Sequence, residues 1–418
     1  MRSLLNSMPL LPVMLLISTV CLAESHYIVD HHDPINIDPQ LSLMELVDLT
    51  LDKYPDATLI PAYRQEADAL QRRGDSWLAG APTAKLNYID DAPGPDTGLN
   101  ELEGNIELPL WNWGQREAGQ QLAEKAQQLS KLQLQRIRLK VAGRVREALW
   151  DMALQKLHYE MSLLRQKVSN KLLQTIQRRV ELGDLPRADY LLAKSELLKD
   201  RAQLVEAEAE HMHARKRYTT LTQIQRIPAT FVEQQSQLTE LAAHPALAVI
   251  SAEIERKKAE LEWVKTKGSG QTLFAIGGKT ERSSRADRAK ESITFNLSVP
   301  FGGGAHLAPE IAAVNLQLAE LQRQRDMLYR RLQQSLHEAE HALQVDRSEL
   351  AIAKELQEIA EAHLKMTRLS FKSGEINLMD LLRIQARTHN AIEHAKQQEI
   401  IMQRDIAFFN QAVGVVQP

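Results

Sequence analysis

The chain has 418 residues, a formal net charge of -3, 44% hydrophobic and 5% aromatic residues, and a single cysteine, Cys21. One cysteine excludes a disulfide framework, and a near-neutral balance gives nucleic acid no electrostatic footprint. Beyond the first 23 residues no stretch nears the ~20 apolar residues of a transmembrane helix. Insertion in a membrane would therefore require a closed β-barrel.

Residues 1–23 read as a secretory signal, with Arg2, an apolar run over 10–20 and the small-residue site Cys21-Leu22-Ala23. A lipidated Cys21 is the alternative, and Ser18-Thr19-Val20 fits that processing poorly. Residues 24–40, with His26, His31 and His32, read as a flexible leader. A helix is expected over 42–75, with Ser42 as N-cap and Leu46, Leu49 and Leu51 on its apolar face. Strands follow near 83–91 and 101–111, separated by the turn cluster at 92–98.

A long helix is expected near 115–182, striped by Ile137, Val141, Val145, Leu149 and Met152. It stops at Gly183, a C′ glycine, and a return helix runs near 187–224. Residues 225–236, with Pro228, form a linker. The second half repeats the plan. Its strands lie near 271–281 and 291–301, its long helix near 308–372, and its return helix near 378–413 after the N-cap Asn377. Pro309 is placed in the first turn of the second long helix, where it is tolerated. At ~1.5 Å per residue each long helix is about 100 Å long, too long for a compact globule.

The halves are a duplication with a constant offset of 191 residues. Pro109 falls on Pro300, Gly183 on Gly374, and Asp189 on Asp380. The repeats span 41–224 and 237–418, too long for solenoid units. Within them Ile293, Phe295, Leu297 and Val299 alternate with polar residues. Such alternation suits a half-buried soluble sheet as well as a barrel wall between lipid and water.

The order, spacing and duplication of these segments resemble the TolC-like outer-membrane efflux channels of Gram-negative bacteria. The resemblance is carried by Tyr54-Pro55, by Leu108-Pro109-Leu110-Trp111 leading to Gly114-Gln115-Arg116, by Gly183-Asp184-Leu185-Pro186, by Val299-Pro300-Phe301-Gly302-Gly303-Gly304 and by Phe371-Lys372-Ser373-Gly374-Glu375. It implies a mainly α fold with membrane β-strands. Three copies pool four strands each into a 12-stranded barrel, continued by an α-helical barrel in the periplasm. Four strands alone cannot close a useful barrel, so an oligomer is required, and the family supplies the number three. Gly183 to Pro186 and Pro300 to Gly304 are most similar to the cobalt–zinc–cadmium type. The implied function is passive export of divalent heavy-metal cations. The implied partners are a periplasmic adaptor, an inner-membrane proton-driven transporter of the RND type and outer-membrane lipid. Channels for drugs share the frame. A secreted coiled-coil scaffold is a weaker alternative, because a scaffold needs no paired hairpins.

By the same resemblance the two turns form the periplasmic tip. Asp189 and Asp380 match iris carboxylates, and Arg187 and Arg383 lie beside them, placed to neutralise or lock the ring. The bland reading is that both aspartates favour helix N-terminal ends. Adaptor docking falls to Leu182, Gly183, Asp184 and Leu185 with Ser373, Gly374, Glu375 and Ile376. Trp77, Trp111 and Trp113 would form a membrane-interface girdle, or else are ordinary strand-end tryptophans.

His337-Glu338-Ala339-Glu340-His341 fits the zinc-protease spacing. The equivalent stretch of the first copy is Arg146-Glu147-Ala148-Leu149-Trp150, ordinary long helix, and no third ligand accompanies the histidines. His211 and His213, two apart, point in different directions on a helix. Gly302-Gly303-Gly304 lacks the lysine of a phosphate loop. No catalytic constellation, metal site or cofactor is expected, and the chain reads as no enzyme.

Overall fold

The computed structural model describes residues 34–238 and 240–416. The signal segment, Cys21 and the leader histidines lie outside them. Strand β1 (Asn36–Asp38) is followed by α1 (Leu43–Leu51), α2 (Leu59–Asp75), β2 (Thr83–Asp90), β3 (Asn100–Leu110), α3 (Gln115–Glu181), α4 (Arg187–Thr222) and β4 (Arg226–Pro228). The second half holds α5 (Pro245–Thr266), β5 (Thr272–Arg282), β6 (Lys290–Ser298), α6 (Gly304–Lys372) and α7 (Leu378–Ala412).

Ser42 caps α1 by accepting from the Glu45 amide at 3.1 Å. The helix expected over 42–75 is broken. The chain leaves α1 at Asp52, holds Tyr54 extended (φ -76°, ψ 136°), and makes a short 3₁₀ turn at Pro55–Thr58 before α2. Pro55 lacks an N–H and disfavours helical geometry in the residue before it, which accounts for the break.

The leader reading needs correction over its described part. Asn36–Asp38 pairs in parallel with Arg226–Pro228, so leader and linker share a two-stranded sheet. The Arg226 guanidinium closes on Asp38 at 2.8 Å. Three-residue strands carry no readable alternation, so this pairing had no signal in either segment. The second long helix starts at Gly304, four residues earlier than expected, so Pro309 is its sixth residue and sits in the second turn. Its ring removes the bond to the Ala305 carbonyl, a cost confined to one exposed turn. Strand β6 ends at Ser298, before Val299-Pro300-Phe301.

Two helical hairpins, α3–α4 and α6–α7, lie side by side with α3 against α7. The order across the layer is therefore α4-α3-α7-α6. Toward the sheet, α2 lies on α3, while α5 packs between α3 and α6. Among the described residues only α3 and α6 run the full length; the flanks are stacked shorter helices. At one such joint Gly414 has φ +84°, and a Cβ there would come within 2.7 Å of the His244 ring and of Pro245. Glycine is required for both backbone and space, and it lets α5 start directly against the end of α7. At the other joint Lys53 Nζ donates to the Gln223 carbonyl at 2.9 Å, tying α1 to the end of α4.

The main apolar core forms where α1, α3 and α4 meet. Val141, Val145 and Leu149 of α3 pack with Leu46, Val47 and Tyr218. The stripe recurs every three to four residues, so one face of α3 is buried through that region. A second core gathers the ends of both hairpins, with Ile176, Ala193, Leu364, Phe371 and Leu378.

Candidate functional site

The four longer strands form one antiparallel sheet in the order β2-β3-β5-β6. Directly paired residues of an antiparallel sheet share a face, so the register sorts every side chain. One row runs Leu86↔Gly104↔Gly278↔Ile293, the next Ala84↔Ile106↔Ile276↔Phe295, and the next Leu108↔Phe274↔Leu297. This face is apolar and largely exposed. From Leu102 to Leu110 it extends about 26 Å along β3 at ~3.3 Å per residue.

The opposite face carries Lys85, Asn105, Glu107, Lys279, Thr294 and Asn296. Lys85 pairs with Glu107 across β2 and β3. Lys279 Nζ lies 3.0 Å from Glu101 and 2.9 Å from Glu281. One face therefore suits hydrocarbon and the other water. Among the described residues both β2 and β6 have a neighbour on one side only, so each end of the sheet is an open edge. No helix among the described residues is long and apolar enough to cross a membrane.

At the helical end of this sheet, Trp77 is 91% exposed, Trp113 fully exposed and Phe301 91% exposed. Trp111 is half-buried, its indole Nε1 donating to the Ser76 carbonyl at 3.0 Å. The three tryptophans thus share one neighbourhood, with Trp111 as its anchor. Phe301 was not assigned to this neighbourhood: it ends the strand expected over 291–301, beyond the alternating residues 293–299, whereas β6 stops at Ser298.

At the far end of the helices the two turns sit level. Gly183 and Gly374 have φ +75° and +80°, the left-handed geometry that favours glycine. Val180 and Leu185 share a core with Phe371 and Ile376, and the Arg179 guanidinium carbon stands 5.3 Å from the Phe371 ring centroid. Leu182, Asp184, Ser373 and Glu375 are exposed, while Leu185 and Ile376 are half-buried. Asp184 is held by Arg179 Nε at 2.5 Å.

The paired aspartates differ. Asp380 Oδ1 accepts from Arg383 Nη2 at 2.9 Å, and the Asp380 amide is capped by Asn377 Oδ1 at 2.8 Å. Among the described residues neither Asp189 nor Arg187 makes a side-chain ion pair. His337 and His341 are exposed along α6, and Glu338 accepts from Gln334 at 2.8 Å. No cluster of three or more candidate metal ligands occurs among the described residues. His211 stacks on Tyr159 with ring centroids 5.7 Å apart, and burial lowers its pKa.

Sequence reasoning also missed a buried polar knot beside the linker. Arg146 Nε and Nη2 meet the Glu233 carboxylate at 2.7 and 2.8 Å. Arg146 Nη1 donates to Gln411 Oε1 at 2.7 Å, and Asn410 Nδ2 donates to Glu233 at 3.0 Å. The linker and the end of α7 are thereby fixed to α3. No motif marks an isolated arginine inside a helix.

Residues 90–222 match the family model described as outer membrane efflux protein. No curated protein matches the chain in sequence. Among solved structures, the Campylobacter jejuni CmeC outer membrane channel is similar at 14% identity and TM-score 0.70, over 89% of this chain and 85% of that one. A CusC structure, from a study of folding and transmembrane channel formation, aligns at 11% identity and TM-score 0.73, over 90% and 92%. VceC, an outer membrane protein of Vibrio cholerae, aligns at 13% identity and TM-score 0.71, over 90% and 97%. At these identities the likeness is one of fold.

Proposed function

We propose that this chain is an outer-membrane channel with its helices in the periplasm, the exit duct of a tripartite efflux system, a reading supported by the efflux-protein match over residues 90–222 and by the likeness of fold to outer-membrane channels. The observation that carries this reading is the two-faced sheet with two open edges. Unpaired strand edges are not tolerated in hydrocarbon, and four strands cannot close on themselves around a lumen. Pooled copies satisfy both demands. Three copies give twelve strands, with the apolar face toward lipid and the Lys85–Glu107 face lining water.

Transport through such a duct is passive, so energy comes from an inner-membrane proton-driven transporter, with a periplasmic adaptor docking on the exposed turns at Leu182 to Leu185 and Ser373 to Ile376. Asp189 and Asp380, carried inward as rings, would attract cations and repel anions. Trp77, Trp111 and Trp113, joined by Phe301, would meet the periplasmic membrane interface. The cargo class is divalent heavy-metal cations, supported by the motifs Gly183-Asp184-Leu185-Pro186 and Pro300 to Gly304.

Single-channel conductance in planar bilayers, with native mass taken in the same detergent, tests the duct. A trimer with steady, cation-preferring conductance is expected; a monomer without conductance overturns it. For the cargo, a strain lacking the chain should lose tolerance to cobalt, zinc or cadmium salts. Unchanged metal tolerance with lost drug tolerance would replace metal ions by drugs.

A further inference from the structure

We propose that a cavity on one face of α3, roofed by the β1–β4 sheet, binds an amphiphilic organic anion, an alkyl chain ending in a carboxylate. The proposal goes beyond the duct reading and depends on neither the cargo nor the number of copies. The cavity has a volume of about 470 Å³. Small-molecule sites of that size are mostly apolar, with a few convergent polar groups. The floor is α3. Leu149, Ala153, Lys156 and Glu160 follow at steps of four, three and four residues, so they share one face of the helix. Leu149 is fully buried there, with Met152 and Leu157 buried beside it. For the roof, Ile37 pairs with Ile227 across β1 and β4, and both line the cavity with Phe231 of the linker. Ile400 of α7 borders one side. Ile37 itself stays exposed, so the short sheet overhangs the space without filling it.

The polar groups gather at the mouth. Lys156 and Glu160 come from α3, and His211 and Arg215 from α4. Lys156 Nζ stands 3.8 Å from Glu160, a loose contact between two exposed side chains. Two cations against one carboxylate leave the mouth net positive. His211 lies stacked on Tyr159, and its Nδ1 is buried with no hydrogen-bond partner among the described residues. Burial first, then Arg215 and Lys156, hold its pKa down, while Glu160 opposes them. Both cations therefore act at this ring, which stays neutral and in one tautomer donates from Nδ1. A buried ring nitrogen without a partner is costly. A carboxylate supplies the missing acceptor and lies in the field of Lys156 and Arg215, while its alkyl chain covers the apolar floor.

A larger cleft bordered by Arg144, Arg217 and Arg404 lacks this character. Each of its arginines is already held by a carboxylate of the chain, at 3.0, 2.7 and 2.7 Å. Position separates the two sources of such an anion. Leu149 to Leu157 lie about 50–65 Å along α3 from its sheet end at ~1.5 Å per residue. A bilayer is only about 40–45 Å thick with its head groups. A lipid seated in the membrane does not reach the cavity, so the ligand is a free amphiphile of the aqueous space around the helices.

The test uses the full chain in lipid nanodiscs free of detergent, with decanoate as the probe and titration calorimetry as the readout. Saturable binding of one decanoate per chain is expected. Decanol, the same chain length without the charge, should bind at least tenfold more weakly. Lys156→Glu and His211→Phe, which keeps the ring on Tyr159, should each weaken decanoate about tenfold. Ala153→Trp, which fills the cavity, should abolish binding, with native mass unchanged from the unsubstituted chain to show that the variant is folded. No saturable uptake above empty nanodiscs, or equal uptake by all three variants, would overturn the site while the duct reading stands. Decanol binding as tightly as decanoate would overturn the anionic class. Phospholipid held by the unsubstituted chain in native mass spectra, and lost from Ala153→Trp, would overturn the free carboxylate in favour of a membrane lipid.

Discussion

Arg146 of α3 and Glu233 of the linker form a two-pronged ion pair in which both side chains are about 1% exposed. Burial of two charges is costly, and the cost is offset only when every remaining donor and acceptor finds a partner. Here Gln411, Asn410 and the Val415 carbonyl, which accepts at 3.1 Å, complete the set. The knot fastens three segments distant in sequence, so it acts as a clamp where the second half returns to the first.

Removing one partner leaves the other charge buried and unpaired. Arg146→Met should therefore lower stability by about 3–5 kcal/mol, as should Glu233→Leu. The double variant should recover more than half of either loss, because no charge then remains in the site. Thermal denaturation of the detergent-solubilised protein reads all three. A double variant as unstable as the sum of the singles would mean that the knot works by packing rather than by charge.

A second buried acid lies lower on α6. Asp346 is pushed up to about 6 by desolvation first and then by the Asp405 carboxyl on α7; Arg404 opposes the shift and Glu349 adds to it. Arg404 Nε holds Asp405 at 2.7 Å, so Asp346 is the member that takes the proton. A raised acid binds its proton more tightly when folded. Its stabilisation is full below the unfolded value of 3.8 and falls as pH rises toward 6. Asp346→Asn should flatten the stability profile between pH 4 and 6 and raise stability above pH 6. A profile unchanged by the substitution would show that the acid titrates normally.

The parts of the fold that were legible rest on repetition. Strict alternation in Ile293, Phe295 and Leu297 requires a two-faced strand, and two glycines 191 residues apart mark two turns. Features resting on a single unusual residue were not legible. Pro55, well inside the span 42–75, breaks what the apolar spacing on either side reads as one helix. Arg146 looks like any solvated charge until the linker folds over it. At the turns, composition placed Asp189 and Asp380 as equals, yet the arginine four residues before Gly183 takes Asp184 while Arg383 takes Asp380. Which carboxylate an arginine selects depends on the turn backbone, and a string of letters does not contain that.

The aromatic collar separates by exposure. Trp77 and Trp113 project from the helical end of the sheet, while Trp150 is buried edge-on against Phe231 with ring centroids 4.8 Å apart. In vesicles containing brominated phospholipid, emission from Trp77 and Trp113 should be quenched by at least half, and emission from Trp150 left intact. Single-tryptophan variants resolve the sites. Equal quenching at Trp150, or none at Trp77 and Trp113, would remove the membrane interface from this end of the sheet.

The two tip aspartates should differ in their effect on ions. Asp380 is partly neutralised by Arg383 at 2.9 Å, whereas Asp189 has no such partner among the described residues. Within a Debye length, a carboxylate paired with a guanidinium presents little net charge to a passing ion, whereas an unpaired one presents its full charge. Asp189→Ala should therefore lower the cation-over-anion preference of the channel about twofold or more, and Asp380→Ala should change it less. Arg383→Ala, which frees the Asp380 carboxylate, should raise the preference. Reversal potentials across a salt gradient measure each variant in the same bilayer. An effect of Asp380→Ala as large as that of Asp189→Ala would mean that the Arg383 pair opens in the assembled tip. No effect from either would leave both residues as helix-end carboxylates, stabilised by the N-terminal amides of α4 and α7.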